Sequence, residues 1–302
     1  MIKGIHSVGI SVVDIEQAIE FYTQATGFDV VKRYKVAHNP ALDKVFGIDN
    51  IAYETAVFHA KTAFVELTQF HTPPTELGEH EMPVPGPGMT HVCYQSPVSD
   101  PAYTRFKTIG ARMISRGDEP IDLMGAGITY AYARDPERNI FEVEQLDQPP
   151  QPYPIWLGHV AMATHDIERL SRFYGMLLGI EEPASIVRVA DNPRLDEVAD
   201  IDNLELLAAW IRELNMTLEF WQFVNPATPP STTKRTMFTP GYNKVCFEVD
   251  DIEVDYQRLQ QLGIAFLSAP IQVDDSMVAY GYDPDGNLFQ LQQFLNEQPD
   301  LS

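Results

Sequence analysis

The feature that most constrains this 302-residue chain is an internal repeat that covers most of it. The segment IHSVGISVVDIEQAIEFYTQATGF near the start returns as LGHVAMATHDIERLSRFYGMLLGI, and DPERNIFEVE returns as DPDGNLFQLQ. The two copies are offset by 153 residues at His6 and His159, and by 148 residues at Glu142 and Gln290. A register kept over such a length indicates duplication of a structural unit.

Each copy itself contains two similar units. In the first unit, Gly4–Val13 has strand composition, Asp14 is a suitable N-cap and Gly27 ends a helix of amphipathic spacing. Three strand-like runs follow, and a second unit of the same kind begins at Thr90. The proline-rich segment QPPQPYP then separates the copies. We therefore predict an α+β protein of four tandem βαβββ modules, divided into domains at residues 1–147 and 155–298.

Composition excludes several classes of protein. The net charge of −22 would repel a phosphate backbone, so we expect no nucleic-acid partner. No apolar run approaches the roughly 20 residues of a membrane helix, and the N-terminus lacks a signal-peptide pattern. Two cysteines cannot form a disulfide framework. We expect a cytoplasmic protein with a small-molecule substrate and no membrane association, and a homodimer is compatible with this composition.

Four polar residues interrupt strands that are otherwise apolar. They are His6 in GIHSVGI, Glu66 in FVELTQF, His91 in MTHVCYQ and Glu142 in NIFEVEQ. On a strand, successive side chains point to opposite faces, so the apolar neighbours of each would face away from it. Two imidazoles and two carboxylates in one cavity form a good site for a borderline divalent metal. The cation would also offset the cost of burying the carboxylates.

The βαβββ modules, the helix ending in FYTQATGF and the DPERNIFE turn and strand resemble the vicinal oxygen chelate superfamily. This is the group of glyoxalases, bleomycin-resistance proteins and extradiol dioxygenases. The resemblance implies that two modules pair into a mixed, curved sheet around a metal cavity. It also implies metal ligands at His6, Glu66, His91 and Glu142, with Glu142 or Glu66 as the catalytic carboxylate. We expect one divalent ion per chain, with zinc, nickel, iron and manganese all compatible.

The second copy departs from this ligand pattern. His159 and Glu219 remain, but Lys244 replaces His91 and Gln290 replaces Glu142. An ammonium group repels a divalent cation, so we predict a degenerate site there. We expect modules to pair within a domain, because consecutive elements usually lie side by side. If modules exchange partners instead, the ligands would be His91, Glu142, His159 and Glu219.

The four-ligand pattern resembles that of glyoxalase I and the acyl-CoA epimerases. The resemblance implies a lyase or isomerase that acts on a small carbonyl or thioester substrate through a metal-stabilised enediolate. The first alternative is an extradiol-type iron(II) dioxygenase with His6, His91 and Glu142 as its triad. The second alternative is a non-catalytic small-molecule-binding protein similar to the bleomycin-resistance proteins.

Overall fold

The computed structural model describes residues 1–79, 81–123, 125–181, 184–212 and 214–296. Strands dominate, and they fall into four successive modules. Module 1 comprises β1 (Ile2–Ser11), α1 (Ile15–Thr26), β2 (Val30–Val36), α2 (Pro40–Phe46), β3 (Ala52–His59) and β4 (Phe64–Thr72). Module 2 comprises β5 (Gly88–Pro97), α3 (Ala102–Thr108), β6 (Arg112–Met113), β7 (Ile121–Asp122), β8 (Ile128–Arg134) and β9 (Ile140–Leu146).

The second half of the chain repeats this order. Module 3 comprises β10 (Trp156–Ala163), α4 (Ile167–Leu178), β11 (Val187–Val189), α5 (Pro193–Ala199), β12 (Glu205–Ile211) and β13 (Thr217–Asn225). Module 4 comprises β14 (Gly241–Val249), α6 (Ile252–Gln261), β15 (Ile271–Val273), β16 (Ser276–Tyr282) and β17 (Leu288–Phe294). The predicted α+β class with four tandem modules is confirmed. Within the described ranges, no helix has the length and apolar character needed to cross a bilayer.

Local signals set the ends of the first helix as the sequence predicts. The Asp14 side chain accepts a hydrogen bond from the Gln17 amide, and Gly27 closes α1 in the left-handed region at φ 68°. Helices α2 and α5 were not predicted. Each has seven residues and begins with an Asn-Pro pair, at Asn39 and Asn192. A helix of about two turns is too short to show a hydrophobic period, although the asparagine caps and the prolines that follow them are recognisable start signals of a helix.

The modules exchange partners across the two halves of the chain. One sheet has the strand order β15-β16-β17-β14-β1-β4-β3-β2, which joins module 1 to module 4. The other has the order β11-β12-β13-β10-β5-β9-β8-β6, with β7 paired to β8, and joins module 2 to module 3. The central pairs β1–β14 and β5–β10 are antiparallel.

The expectation that modules pair within a domain is therefore wrong. Duplicated modules have first strands of similar composition, so their edges are near-equivalent partners and sequence proximity does not choose between them. The division at residues 147 and 155 stays a prediction.

The hydrophobic core lies on the side of the sheets that carries helices α1, α3, α4 and α6. Phe141 and Val143 on β9 are fully buried in it, whereas Glu142 between them faces the opposite side. The ring centroids of Phe106 on α3 and Phe141 are 4.6 Å apart. The other face of each sheet is concave: in the eight-stranded sheet, Lys32 Nζ on edge strand β2 comes within 3.8 Å of Asp275 Oδ2 beside edge strand β15.

The DPERN turn before β9 is held by a buried carboxylate. Asp135 Oδ1 accepts a hydrogen bond from the Asn139 amide at 2.8 Å, and Oδ2 accepts from Asn139 Nδ2 at 2.9 Å. The Tyr22 hydroxyl donates to Oδ2 at 2.7 Å, so the turn is tied to α1. This network fixes the start of the strand that carries Glu142.

We predict that Asp135→Ala lowers the free energy of unfolding by about 3 kcal/mol, because it leaves buried donors without an acceptor. Tyr22→Phe removes one donor and leaves the carboxylate otherwise bonded, so it should cost only about 1 kcal/mol. Urea denaturation of the two variants measures both values. Equal losses would contradict the central role of the carboxylate.

Candidate metal site

Four adjacent central strands of the nine-stranded sheet each carry one polar side chain on the concave face. In strand order β13-β10-β5-β9, these side chains are Glu219, His159, His91 and Glu142. None exposes more than 7 % of its surface. One ligand atom from each lies within 4.8 Å of all the others. The site therefore combines two residues from each half of the chain.

Each of the two imidazoles lies close to both carboxylates. His91 Nε2 lies 3.1 Å from Glu142 Oε2 and 3.8 Å from Glu219 Oε2. His159 Nε2 lies 3.3 Å from Glu219 Oε2 and 3.7 Å from Glu142 Oε2. Each nitrogen thus faces both carboxylates, which is the arrangement expected of ligands around a common centre.

Among the described residues, three of these inward-facing atoms have no hydrogen-bond partner. They are His91 Nε2, His159 Nε2 and Glu219 Oε2. Buried polar atoms without partners are costly, and a cation bound between them would satisfy all three. Two imidazoles and two carboxylates are a donor set that zinc, nickel, iron(II) or manganese accepts. The residues present therefore fit a divalent metal ion.

Neighbouring groups orient one ligand of each type. The Thr90 hydroxyl donates to the Ala161 carbonyl at 3.3 Å and lies 3.0 Å from His91 Nδ1. With the hydroxyl proton on the Ala161 carbonyl, Nδ1 donates to the hydroxyl oxygen, and in that tautomer the lone pair of Nε2 is directed into the cluster. The Trp210 indole donates to Glu219 Oε1 at 2.6 Å and leaves Oε2 facing the histidines.

The electrostatics of the cluster favour positive charge at its centre. Burial acts to lower the pKa of His159, but Glu219 and Glu142 outweigh it and raise the pKa to about 10. Burial acts to raise the pKa of Glu142, but His159 and His91 hold it well below its ordinary value. Nearby Glu144 has its pKa raised to about 7 by burial and by Glu142. The carboxylates thus stabilise a cation between them.

The predicted set of His6, Glu66, His91 and Glu142 is not brought together. The structure places His91 and Glu142 in the nine-stranded sheet, and His6 and Glu66 in the eight-stranded sheet. The physical reason is the exchange of modules, which gives His91 and Glu142 the partners His159 and Glu219. The sequence analysis named these two residues as ligands only for the case in which the modules exchange partners. Their equivalence to His6 and Glu66 in the repeat was the available signal.

In the eight-stranded sheet a lysine takes the central position. Lys244 Nζ lies 2.9 Å from Glu66 Oε2 and donates to Gln290 Oε1 at 2.6 Å. The Ser7 hydroxyl donates to Glu66 Oε1. Burial acts to raise the pKa of Glu66, but Lys244 and Ser7 outweigh it and bring the pKa to about 2. An internal ammonium therefore neutralises the buried carboxylate here.

Comparison with known proteins identifies the family. Residues 4–143 match the family described as the Glyoxalase/Bleomycin resistance protein/Dioxygenase superfamily, and residues 158–280 match a second family of the same description. The chain belongs to this superfamily. A comparison with curated protein sequences found no match.

Solved structures share the fold over nearly the whole chain. Glyoxalase I from Zea mays is 18 % identical with a TM-score of 0.64, and the match covers 96 % of this chain and 92 % of that chain. A putative dioxygenase from Bacillus subtilis subsp. subtilis str. 168 is 12 % identical with a TM-score of 0.59, and the match covers 99 % of this chain and 87 % of that chain. At these identities the similarity establishes the fold alone.

We predict that Glu219→Gln and Glu142→Gln each weaken metal binding about tenfold or more. Loss of a group that only hydrogen-bonds to a metal ligand already lowers metal affinity about tenfold, and these substitutions change a ligand itself. Glu66→Gln, the same chemical change in the other sheet, should leave metal content unchanged. Elemental analysis after metal loading and dialysis measures the stoichiometry, which should be one ion per chain. Metal loss in Glu66→Gln but not in Glu219→Gln would restore the set predicted from sequence.

A second prediction concerns the Lys244–Glu66 pair. Lys244→Met leaves a buried carboxylate unpaired and should lower the free energy of unfolding at pH 7 by about 3–5 kcal/mol. Lys244→Met combined with Glu66→Gln should return close to the wild-type value. The folded pKa of Glu66 lies below its unfolded value of about 4.3, so the stabilisation is full above that pH and is lost as the pH falls towards 2.

Denaturant titrations from pH 7 down to pH 3 would test this pairing. The deficit of Lys244→Met relative to wild type should shrink as the pH falls. A double variant as unstable as the single one would show that Lys244 contributes through packing and not through charge.

Proposed function

We propose that this protein is a metal-dependent lyase or isomerase that acts on a small carbonyl or thioester substrate. The observation that carries the proposal is the cluster of His91, Glu142, His159 and Glu219, whose four ligand atoms lie within 4.8 Å of one another. These residues would hold one divalent ion per chain. The metal would act as a Lewis acid on a substrate oxygen and so acidify the neighbouring C–H bond.

The two carboxylates of the cluster are held differently, and this difference suggests separate roles. Glu219 is anchored by the Trp210 indole through Oε1. Within the described residues, Glu142 Oε1 accepts a weak contact of 3.9 Å from the Cys93 thiol and no other hydrogen bond. Because a thiol is a weak donor, Glu142 is the freer of the two. We therefore assign Glu142 as the carboxylate that takes the proton from the substrate carbon and returns it, with Glu219 as a fixed ligand.

The surroundings of the cluster favour proton transfer in a water-poor site. The Tyr132 ring stands 5.0 Å from the His91 ring and is 3 % exposed. Tyr130, Ile121 and Val198 form a buried apolar cluster with it. A low-polarity wall strengthens electrostatic contacts at the reacting atoms. This low-polarity wall supports a small organic substrate.

We also propose a cytoplasmic location. Given the net charge of −22, we propose no nucleic-acid partner.

An iron(II) dioxygenase is the second candidate. His91, His159 and one of the two carboxylates would together provide the two-histidine, one-carboxylate ligand set that such enzymes use. The second buried carboxylate favours the first candidate, because it adds a fourth protein ligand where oxygen chemistry needs an open position. A carboxylate is also the group that proton transfer requires.

The two candidates predict different labelling. Zinc- or nickel-loaded protein, incubated without oxygen in deuterium oxide with a panel of small carbonyl compounds and thioesters, should incorporate deuterium at the carbon beside the carbonyl. Mass spectrometry measures the label.

Glu142→Gln should slow exchange about 100-fold or more, as expected for loss of a general base. Glu205→Gln makes the same change on β12 of the same sheet, where Glu205 pairs with Arg188, and should not slow it. Activity that strictly required oxygen and iron(II) would favour the dioxygenase.

A further inference from the structure

The concave face of the eight-stranded sheet encloses a cavity of about 390 Å³ that the proposed metal chemistry does not use. Small-molecule sites typically occupy about 300–1,000 Å³. Lys244, Glu66 and Gln290 lie at its floor, and Tyr53, Val278 and Tyr280 contribute to its wall. The cavity is thus the counterpart of the metal cluster in the other sheet, with a different chemical interior.

The ammonium of Lys244 gives the floor of this cavity a charged hydrogen-bond donor. The ammonium of Lys244 carries three protons, and the described residues give it two acceptors, Glu66 Oε2 at 2.9 Å and Gln290 Oε1 at 2.6 Å. The third proton is available to a ligand oxygen. Burial acts to raise the pKa of Glu66, but Lys244 and Ser7 bring it to about 2, so the pair stays ionised at neutral pH.

The walls are aromatic. Tyr34, Tyr53 and Tyr280 line the cavity, and the Phe46 ring of α2 packs against Tyr280 with centroids 5.2 Å apart. Burial raises the pKa of Tyr34 to about 12, so its hydroxyl stays protonated. The His6 ring lies 4.9 Å from both Phe64 and Phe294, and burial lowers its pKa. Aromatic walls of this kind favour a flat, apolar ligand.

The charge balance disfavours an anion. Of the described residues, two cationic ones line the cavity, Lys32 and Lys244, against the three anionic residues Glu66, Asp274 and Asp275. The chain as a whole carries a net charge of −22. A carboxylate or phosphate would therefore enter against a negative potential and would compete with Glu66 for Lys244.

We propose that this cavity is a second, metal-independent binding site for an uncharged aromatic molecule whose carbonyl or hydroxyl oxygen accepts a hydrogen bond from Lys244. The site is independent of the proposed reaction, since it lies in the other sheet and shares no residue with the His91 cluster.

Three naphthalene probes separate the elements of the proposal. 2-Acetylnaphthalene has a neutral carbonyl acceptor, 2-ethylnaphthalene lacks the acceptor, and 2-naphthoate carries a negative charge. Calorimetric titration of the full chain should show that 2-acetylnaphthalene binds about tenfold or more tightly than either of the others, as a hydrogen bond to a charged donor predicts. No saturable binding of 2-acetylnaphthalene, or tighter binding of 2-naphthoate, would overturn the proposal.

Two variants test whether the probe binds in this cavity. Val278 pairs with Gln292 as Tyr130 pairs with Glu144 in the other sheet, so Val278→Tyr copies a side chain that the fold already accommodates there. It should fill the cavity and abolish binding of 2-acetylnaphthalene while leaving metal content unchanged. Unchanged probe affinity in a folded Val278→Tyr protein, as judged by its thermal unfolding, would overturn the assignment.

The second variant tests the donor without blocking the cavity. Lys244→Met with Glu66→Gln removes both charges together, so no unpaired charge is left buried. It should weaken 2-acetylnaphthalene about tenfold, to the level of 2-ethylnaphthalene, and leave 2-ethylnaphthalene unaffected. Equal losses for both probes would show that Lys244 is not the recognition donor.

Discussion

The antiparallel pairing of β1 with β14 and of β5 with β10 is the interaction on which the rest of the structure depends. Each pair joins modules from opposite halves of the chain, with Val8 opposite Val245 in one sheet and Val92 opposite Val160 in the other. This choice of partner decides which concave-face side chains share a cavity. Had the modules paired within each half, the complete ligand set would have been His6, Glu66, His91 and Glu142, and the degenerate set would have been His159, Glu219, Lys244 and Gln290.

Both sheets face the same physical problem and solve it differently. Each carries buried carboxylate on its concave face, which is costly without a compensating positive charge. In the eight-stranded sheet Lys244 provides that charge at 2.9 Å from Glu66. In the nine-stranded sheet two carboxylates face two imidazoles, and three of the facing atoms have no hydrogen-bond partner in the part of the chain that the structure describes. From duplicated modules, one fold thus supplies a histidine–carboxylate cluster whose residues fit a metal ion in one sheet and a cavity lined by aromatic side chains in the other.

Much of the fold could be predicted because local rules act over short distances. Asp14 and Gly27 bound α1 as expected, and the turn from Asp135 to Asn139 precedes β9 as expected. Alternation on β9 correctly placed Phe141 in the core and Glu142 on the other face. The short helices α2 and α5 were missed, because seven residues carry too little periodicity to be distinguished from a loop.

The candidate site shows where sequence reasoning stops. The residue types, their strand positions and the departure of Lys244 and Gln290 from the ligand pattern are all readable along the chain, because each depends only on identity and repeat register. Which pairs converge is not readable there. Strand pairing is a contact between distant segments, and duplication makes several partners nearly equivalent. Only the tertiary structure joined His91 and Glu142 to His159 and Glu219, because the β5–β10 contact brings their strands side by side.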